Sequence, residues 1–131
     1  MLKSTGILKY GQSFNSGVKL ILEVDPGISY FYKSLIPKWN TANPQKHFPH
    51  ISVVRHEEPP NMEFWGKHQG MSVDFYYSNI IHNGTVYWWL DAFSTHLEEI
   101  RVELGLPISS HYTQPPEGFK KVFHITIGNN K

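Results

Sequence analysis

The segment Phe123-His124-Ile125-Thr126-Ile127-Gly128 decides the predicted fold, and a similar segment, Pro49-His50-Ile51-Ser52-Val53-Val54, lies in the first half of the chain. In both segments a histidine is followed two residues later by a hydroxyl residue, and branched apolar side chains occupy the alternate positions. This alternation is typical of a β-strand with one buried face. We therefore expect two strands on which the histidine and the hydroxyl project from one face and the branched side chains from the other.

The bare pattern of a histidine with Ser or Thr two positions later is a weak signal, because a chain with eight histidines produces it roughly once by chance. A third match, His111-Tyr112-Thr113, lies between Pro107 and Pro116 among small polar residues, which favours a loop. We interpret this third match as accidental. The other two matches have the apolar flanks of a strand and lie one in each half of the chain.

Two histidines that face one cleft can act as general base and general acid, because the unperturbed imidazole pKa of roughly 6.5 lets one be neutral and the other protonated. In an RNA-type phosphodiester the base takes the proton of the ribose 2′-hydroxyl, which attacks phosphorus, and the acid protonates the departing 5′-oxygen. Hydroxyls beside the histidines would donate hydrogen bonds to the non-bridging oxygens. This scheme needs no metal and leaves open which histidine is the base. The predicted catalytic residues are His50, Ser52, His124 and Thr126.

The two motifs resemble the paired His-apolar-Ser/Thr-apolar motifs of the two-histidine (2H) phosphoesterase superfamily. Within that superfamily the wider context is most similar to the phage anti-CBASS nucleases, which degrade the cyclic oligonucleotide messengers of bacterial immunity. The segments that carry this closer resemblance are Lys3 to Leu8, His50 to Arg55, Trp88 to Asp91 and Ile100 to Leu106.

The resemblance implies an α+β fold of two pseudo-symmetric lobes, whose antiparallel sheets flank a central cleft, in one domain over residues 1–131. It also implies a metal-independent phosphodiesterase that cleaves 3′,5′-linked cyclic dinucleotides or cyclic oligonucleotides as a viral counter to host immunity. For Tyr10 it favours contact with a substrate base, whereas residue type alone favours a ring packed at a strand end.

Composition bounds the class of protein and of partner. A chain of 131 residues fits one domain with a real core, and 40% apolar and 15% aromatic residues argue against general disorder. The aromatic surplus leaves rings that can stack on bases. A formal net charge of +1 does not supply the electrostatic grip of a protein that coats long nucleic acid. We expect a small anionic substrate such as a cyclic nucleotide, no long nucleic acid, and no cofactor.

The chain contains no cysteine, which excludes disulfides and thiol chemistry and is consistent with the cytosol. Its first residues lack the apolar core of a signal peptide, and no apolar run approaches membrane-spanning length. We therefore expect a soluble protein of the cytoplasm, which is the host cytoplasm if the source is viral, with no membrane partner.

A metal site is not expected in the first half of the chain. The histidine and carboxylate residues around the first motif, which are His47, His56, Glu57 and Glu58, match no established ligand spacing and are followed directly by two prolines. We interpret Glu57 and Glu58 as part of a solvated loop.

The remaining elements follow from caps and periodicity. Strands are predicted near residues 5–10, 18–24, 71–77 and 85–90, with Asn83-Gly84 in a hairpin turn. Asp25-Pro26 should begin a helix that reaches about Leu35. A second helix should begin with the capping box from Thr95 to Glu98 and end at Gly105. Its apolar stripe is Leu97, Ile100 and Leu104, which predicts a solvated face that carries Glu98, Glu99, Arg101 and Glu103.

The segment 107–120 is predicted as a long loop just before the second motif strand. Loops of this length often contribute to binding. Within and next to it, Tyr112 is the candidate for contact with a base and Lys121, or its neighbour Lys120, for contact with a phosphate. Simple surface exposure is the alternative interpretation for each lysine.

Two other functions remain open on the same residues. One is an RNA 2′,3′-cyclic phosphodiesterase that acts in RNA end processing, although the near-neutral charge weighs mildly against long RNA. The other is a non-catalytic nucleotide-binding module, in which the histidines and hydroxyls only bind a phosphate. The presence of two full motifs disfavours the binding module, because binding alone needs neither an acid nor a base.

Overall fold

A computed structural model describes residues 1–12, 17–109 and 114–131 of the chain. In these ranges each half of the chain runs in the order strand, strand, helix, strand. The first half contains β1 (Leu2–Gln12), β2 (Val18–Glu23), α1 (Pro26–Ser34) and β3 (His50–Val54). The second half contains β4 (Ser72–Asn83), β5 (Tyr87–Phe93), α2 (Thr95–Glu103) and β6 (Phe123–Asn129), and one 3-10 turn, Met62–Phe64, lies between the halves.

The strands form a single closed antiparallel sheet in the order β1-β2-β3-β6-β5-β4, in which β4 also pairs with β1. The two motif strands, β3 and β6, are neighbours and pair at Ile51 and Ile125. The predicted α+β class is confirmed. The finer prediction of two pseudo-symmetric lobes stays a prediction.

One continuous cluster of buried apolar side chains joins the sheet to both helices. Ile51 and Ile125, the central residues of the two motifs, are fully buried in this core. Because side chains alternate along a strand, the histidines of both motifs lie on the face of the sheet turned away from the core. The helices contribute Ile28, Tyr32, Leu97, Ile100 and Leu104 to the same cluster.

Both predicted helices form close to their predicted bounds. The Asp25 carboxylate accepts a hydrogen bond from the Gly27 amide at 2.9 Å, and Pro26 occupies the first turn of α1. In α2 the cap is Ser94, one residue before the predicted position, and its hydroxyl accepts from the Leu97 amide at 3.2 Å. Gly105 follows the helix in the left-handed region, with a φ of 83°, which a glycine adopts without strain.

The prediction of a solvated face on α2 is wrong for two of its residues, because Glu98 and Arg101 are 6% and 3% exposed. The Glu98 carboxylate accepts hydrogen bonds from the backbone amides of residues 120 and 121, at 2.9 and 3.1 Å. These residues precede β6, so Glu98 is buried where the chain passes over α2 and supplies it with donors.

Arg101 is buried for a similar reason, one turn further along α2. Its guanidinium donates to the Val53 carbonyl at 2.7 Å and to the Pro107 carbonyl at 2.9 Å. It also donates to both carboxylate oxygens of Glu57, each at 2.8 Å. The interpretation of Glu57 as a solvated loop residue is therefore wrong, since this carboxylate forms a bidentate ion pair with a buried arginine.

Candidate active site

The pairing of β3 with β6 brings the four predicted catalytic residues together. In an antiparallel pair, the match of Ile51 with Ile125 sets His50 opposite Thr126 and Ser52 opposite His124. The four side chains project from the face opposite the buried isoleucines, where His124 is exposed and the other three are half-buried.

The ring of His50 is oriented by its own backbone. Its Nδ1 lies 2.7 Å from the Phe48 carbonyl oxygen, which only accepts, so Nδ1 carries the hydrogen and Nε2 is the acceptor of the neutral ring. Burial lowers the pKa of His50, the Phe48 carbonyl opposes this, and the charges of His47, Lys19 and Arg55 lower the pKa further. A neutral imidazole with an acceptor nitrogen is the form that a general base requires.

The ring of His124 has a different electrostatic environment. Its Nε2 lies 3.6 Å from Oδ1 of Asp91, an ion-pair distance slightly longer than a hydrogen bond. The pKa of His124 is lowered overall: partial burial is the largest cause and the charges of His82 and Lys121 lower it further, while Asp91 raises it. Among the described charges that shift the pKa values of the two histidines, Asp91 is the one carboxylate, and it acts on His124.

Asp91 is the centre of a small network on β4 and β5. Its Oδ1 accepts a hydrogen bond from Nε1 of Trp89 at 3.2 Å, and its Oδ2 lies 3.2 Å from Nε2 of His82. The Trp89 ring stacks on His82 with ring centroids 5.6 Å apart and packs against His124 at 5.3 Å. The Asp91 side chain is only 12% exposed, so both of its oxygens are committed to this group.

Sequence reasoning missed Asp91 and His82 as members of the site. Alternation does show that Trp89 and Asp91 share the face opposite Leu90. Their position beside the second motif depends on the register between β5 and β6. In this register Asp91 pairs with His124, and the register shifts between Trp88 and Trp89. That register has no signal in the local sequence.

Lys121 lies near the second motif, three residues before His124 in sequence. Its Nζ lies 5.5 Å from the ring centroid of Phe123, and its charge acts on His124. Burial lowers the pKa of Lys121, and Arg101 lowers it further, while Glu57 raises it. With Lys19, His47 and Arg55 on the side of His50, Lys121 makes the surroundings of the histidine pair predominantly basic, which favours an anionic ligand.

Tyr10 lies away from the four motif residues. It pairs with Leu20 on the core side of β1, and its ring packs edge-on against Trp65 with centroids 4.9 Å apart. Its hydroxyl accepts a hydrogen bond from the His68 amide at 3.3 Å. This environment matches the alternative interpretation of a ring packed at a strand end, and contact with a substrate base stays a prediction. Tyr112 and the third motif match at His111 lie outside the described residues.

Comparison of the chain with models of protein families, with curated proteins and with solved structures found no match. The place of the chain among the 2H phosphoesterases therefore stays a resemblance carried by its two motifs. In the described ranges no group of three or more His, Asp or Glu side chains is arranged to bind a metal ion. None of the helices described there is long and apolar enough to span a bilayer.

Proposed function

We propose that the protein is a phosphodiesterase of the 2H type that linearises 3′,5′-linked cyclic dinucleotides or related cyclic oligonucleotides. The observation that carries the proposal is the pairing of Ile51 with Ile125 in neighbouring strands β3 and β6. This pairing places two imidazoles and two hydroxyls next to each other on the opposite face of the sheet. An acid, a base and two hydrogen-bond donors are the groups that transesterification of such a linkage requires.

In the proposed reaction one imidazole takes the proton of a ribose 2′-hydroxyl, and the resulting oxygen attacks the adjacent phosphorus. The bond from phosphorus to the 5′-oxygen breaks, and the second imidazole gives its proton to that oxygen. Ser52 and Thr126 donate hydrogen bonds to the non-bridging oxygens as negative charge develops on them. The product is linear, with a 2′,3′-cyclic phosphate at one end and a 5′-hydroxyl at the other.

The repeated order of elements supports the two-lobed arrangement that this family implies. Strands β1, β2 and β3 have the same order around their helix as β4, β5 and β6. The closed sheet joins the halves through equivalent strands, β3 with β6 and β1 with β4. A ligand bound across the first of these joints would contact one motif from each half.

The basic surroundings of the histidines support a small anionic substrate. The charges of Lys19, Arg55 and Lys121 all act on one or other of the two rings, while the net charge of the whole chain is only +1. Positive charge is thus local to the motif face, which suits a compact phosphodiester better than a long strand. A role in viral evasion of CBASS immunity, in the cytoplasm of the host, is proposed from the resemblance alone.

The test is to incubate the protein with a panel of 3′,5′-linked cyclic di- and trinucleotides in excess chelator and to identify products by mass spectrometry. We expect linear products with a 2′,3′-cyclic phosphate, and no turnover by a variant that lacks both histidines. Absence of turnover, or its loss in chelator, would contradict the proposal. Faster turnover of a short RNA with a 2′,3′-cyclic end would instead favour RNA end processing, and tight binding without turnover would favour a binding module.

A further inference from the structure

The two catalytic imidazoles are not equivalent, although their motifs are. His50 is oriented by a neutral acceptor, the Phe48 carbonyl at 2.7 Å from Nδ1. His124 has an ionised acceptor, Asp91, at 3.6 Å from Nε2. A carboxylate at this distance stabilises the imidazolium form, and a backbone carbonyl fixes the tautomer without adding a full charge.

Two side chains fix the position of Asp91. Trp89 donates to one carboxylate oxygen and His82 lies beside the other, and the Trp89 ring packs against both His82 and His124. The side chain is mostly buried, so solvent screens its charge less than that of a surface carboxylate. A buried and constrained charge is an effective electrostatic partner for one neighbouring ring.

We propose that Asp91 is a positioning residue which orients His124 and stabilises its protonated form, so that His124 is the general acid and His50 the general base. This assignment rests on the proposed phosphodiesterase function. His82 and Trp89 act through Asp91: Trp89 orients the carboxylate by a hydrogen bond, and His82 competes with His124 for its charge.

Among the described charges around the two rings, Asp91 favours the imidazolium form of His124, whereas His82 and Lys121 oppose it, and with burial they leave the pKa of His124 below its ordinary value. His124 faces Asp91 on β5, His82 on β4 and Lys121 before β6. Removal of Asp91 therefore lowers the pKa of His124, and removal of His82 raises it. His50 faces the positive charges of His47, Lys19 and Arg55, which favour the neutral form. The carboxylate that pairs in register with His50, Glu23 on β2, is engaged by Lys9 at 2.8 Å.

The decisive variants are Asp91→Asn and His82→Gln, with Asp74→Asn as the matched control. Asp74 is a carboxylate on β4 that binds the Thr5 hydroxyl at 2.8 Å and Lys3, on the part of the strand away from His82. Histidine pKa values are measured by NMR titration of the ring carbons. We expect the pKa of His124 to fall in Asp91→Asn, to rise in His82→Gln, and to stay unchanged in Asp74→Asn, with little change at His50 in all three.

The same variants have an expected kinetic signature. Asp91→Asn should lower kcat roughly tenfold or more, as part of the roughly 10²–10⁴-fold contribution of a general acid, while KM changes little. The alkaline limb of the rate profile, where the acid loses its proton, should move to lower pH in Asp91→Asn and to higher pH in His82→Gln. A merely structural role for Asp91 would not move this alkaline limb in opposite directions in the two variants.

The outcomes separate this inference from the proposed function. An unchanged or raised His124 pKa in Asp91→Asn, or a shift at His50 in its place, overturns the role of Asp91 whether or not the protein cleaves cyclic nucleotides. If the pKa of His124 falls in Asp91→Asn and rises in His82→Gln but no cyclic nucleotide is cleaved, the pairing of Asp91 with His124 is supported and the proposed phosphodiesterase activity is contradicted. If Asp91→Asn does not fold, His82→Gln, at a part-exposed position, still tests the pairing through the direction of its shift.

Discussion

At the level of single residues, the orientation of the candidate catalytic side chains depends on the two isoleucines between them. Ile51 and Ile125 are fully buried and paired with each other, and this determines which face of each strand carries the histidine. A slip of one residue in either strand would bury that histidine and expose the isoleucine. The motif therefore encodes the orientation of the proposed catalytic groups together with the groups themselves.

The first prediction concerns the two histidines as a pair. His50→Ala and His124→Ala should each lower turnover of a cyclic dinucleotide by roughly 10²–10⁴-fold, because each removes a general acid or base. The double variant should lose much less than the product of the two single losses, since the rings act in one transition state. Steady-state rates and circular dichroism of the three variants check this.

The matched control is His96→Ala, because His96 is an exposed histidine on α2. It should leave both turnover and folding unchanged. His111 is a further control, since its match to the motif is interpreted as accidental. A loss at either position as large as the loss at His124 would contradict the assignment of the site to β3 and β6.

At the level of elements, α2 connects the two motif strands through its buried polar residues. Glu98 accepts from the backbone just before β6, and Arg101 donates to the Val53 carbonyl within β3. The two residues are one helical turn apart, so one helix face constrains both strands of the site. We expect changes on this face to affect stability and turnover together.

The second prediction is that Glu98→Ala destabilises the protein by about 1–3 kcal/mol, because two part-buried backbone amides lose their acceptor. Glu99→Ala is the matched control, since Glu99 is the adjacent carboxylate and is exposed, and it should cost little. Urea unfolding of both variants measures the difference. Equal stability of the two variants would mean that the amides of residues 120 and 121 find other acceptors.

The third prediction concerns Arg101→Met, which leaves the Glu57 carboxylate and the Val53 carbonyl without their donor. Because the arginine is 3% exposed, we expect a loss of about 2–4 kcal/mol in the free energy of unfolding. Arg101 hydrogen bonds lower the pKa of Glu57 from its usual 4.5. The ion pair therefore stabilises the fold above that value, and its contribution disappears as pH falls through the lowered pKa of Glu57.

The acid dependence supplies the check for this third prediction. Urea unfolding at pH values from 7 down to 3 should show the stability difference between wild type and Arg101→Met shrinking at the acid end. A difference that is constant with pH would show that the loss comes from the Val53 and Pro107 carbonyls, to which Arg101 also donates, and that the charge of Glu57 contributes nothing.

Local sequence predicted elements and faces, but it did not predict partners across the sheet. The alternation about Ile51 and Ile125 and the cap at Asp25 act within a few residues, and the structure confirms the elements that they predict. The burial of Glu98 and Arg101 could not be predicted, because all of their hydrogen-bond partners described above, apart from the Pro107 carbonyl, lie 22 or more residues away in sequence. The contact of Asp91 with His124 likewise depends on strand register, which is a property of the folded sheet.

At the level of the whole molecule, the two halves depend on each other for a closed sheet and a common core. Separated between β3 and β4, each half would lose its pairing at both joints and leave β1 and β3, or β4 and β6, as open edges. Each half would also expose the apolar face that now packs in the shared cluster. A half of this size buries too little apolar surface to be stable without such partners.

The fourth prediction follows from this dependence. Fragments 1–66 and 67–131, expressed separately, should each show the circular dichroism of an unfolded chain and no turnover, while their equimolar mixture should recover strand signal and measurable turnover. The intact chain should unfold in a single transition by both fluorescence and circular dichroism, because the closed sheet and the core are each shared by both halves. A fragment that folds by itself into a monomer would show that its half has an independent core. A fragment that folds only as a dimer would mean that equivalent strands of two copies can replace the joints between β3 and β6 and between β1 and β4, which is the outcome that the repeated order of elements allows.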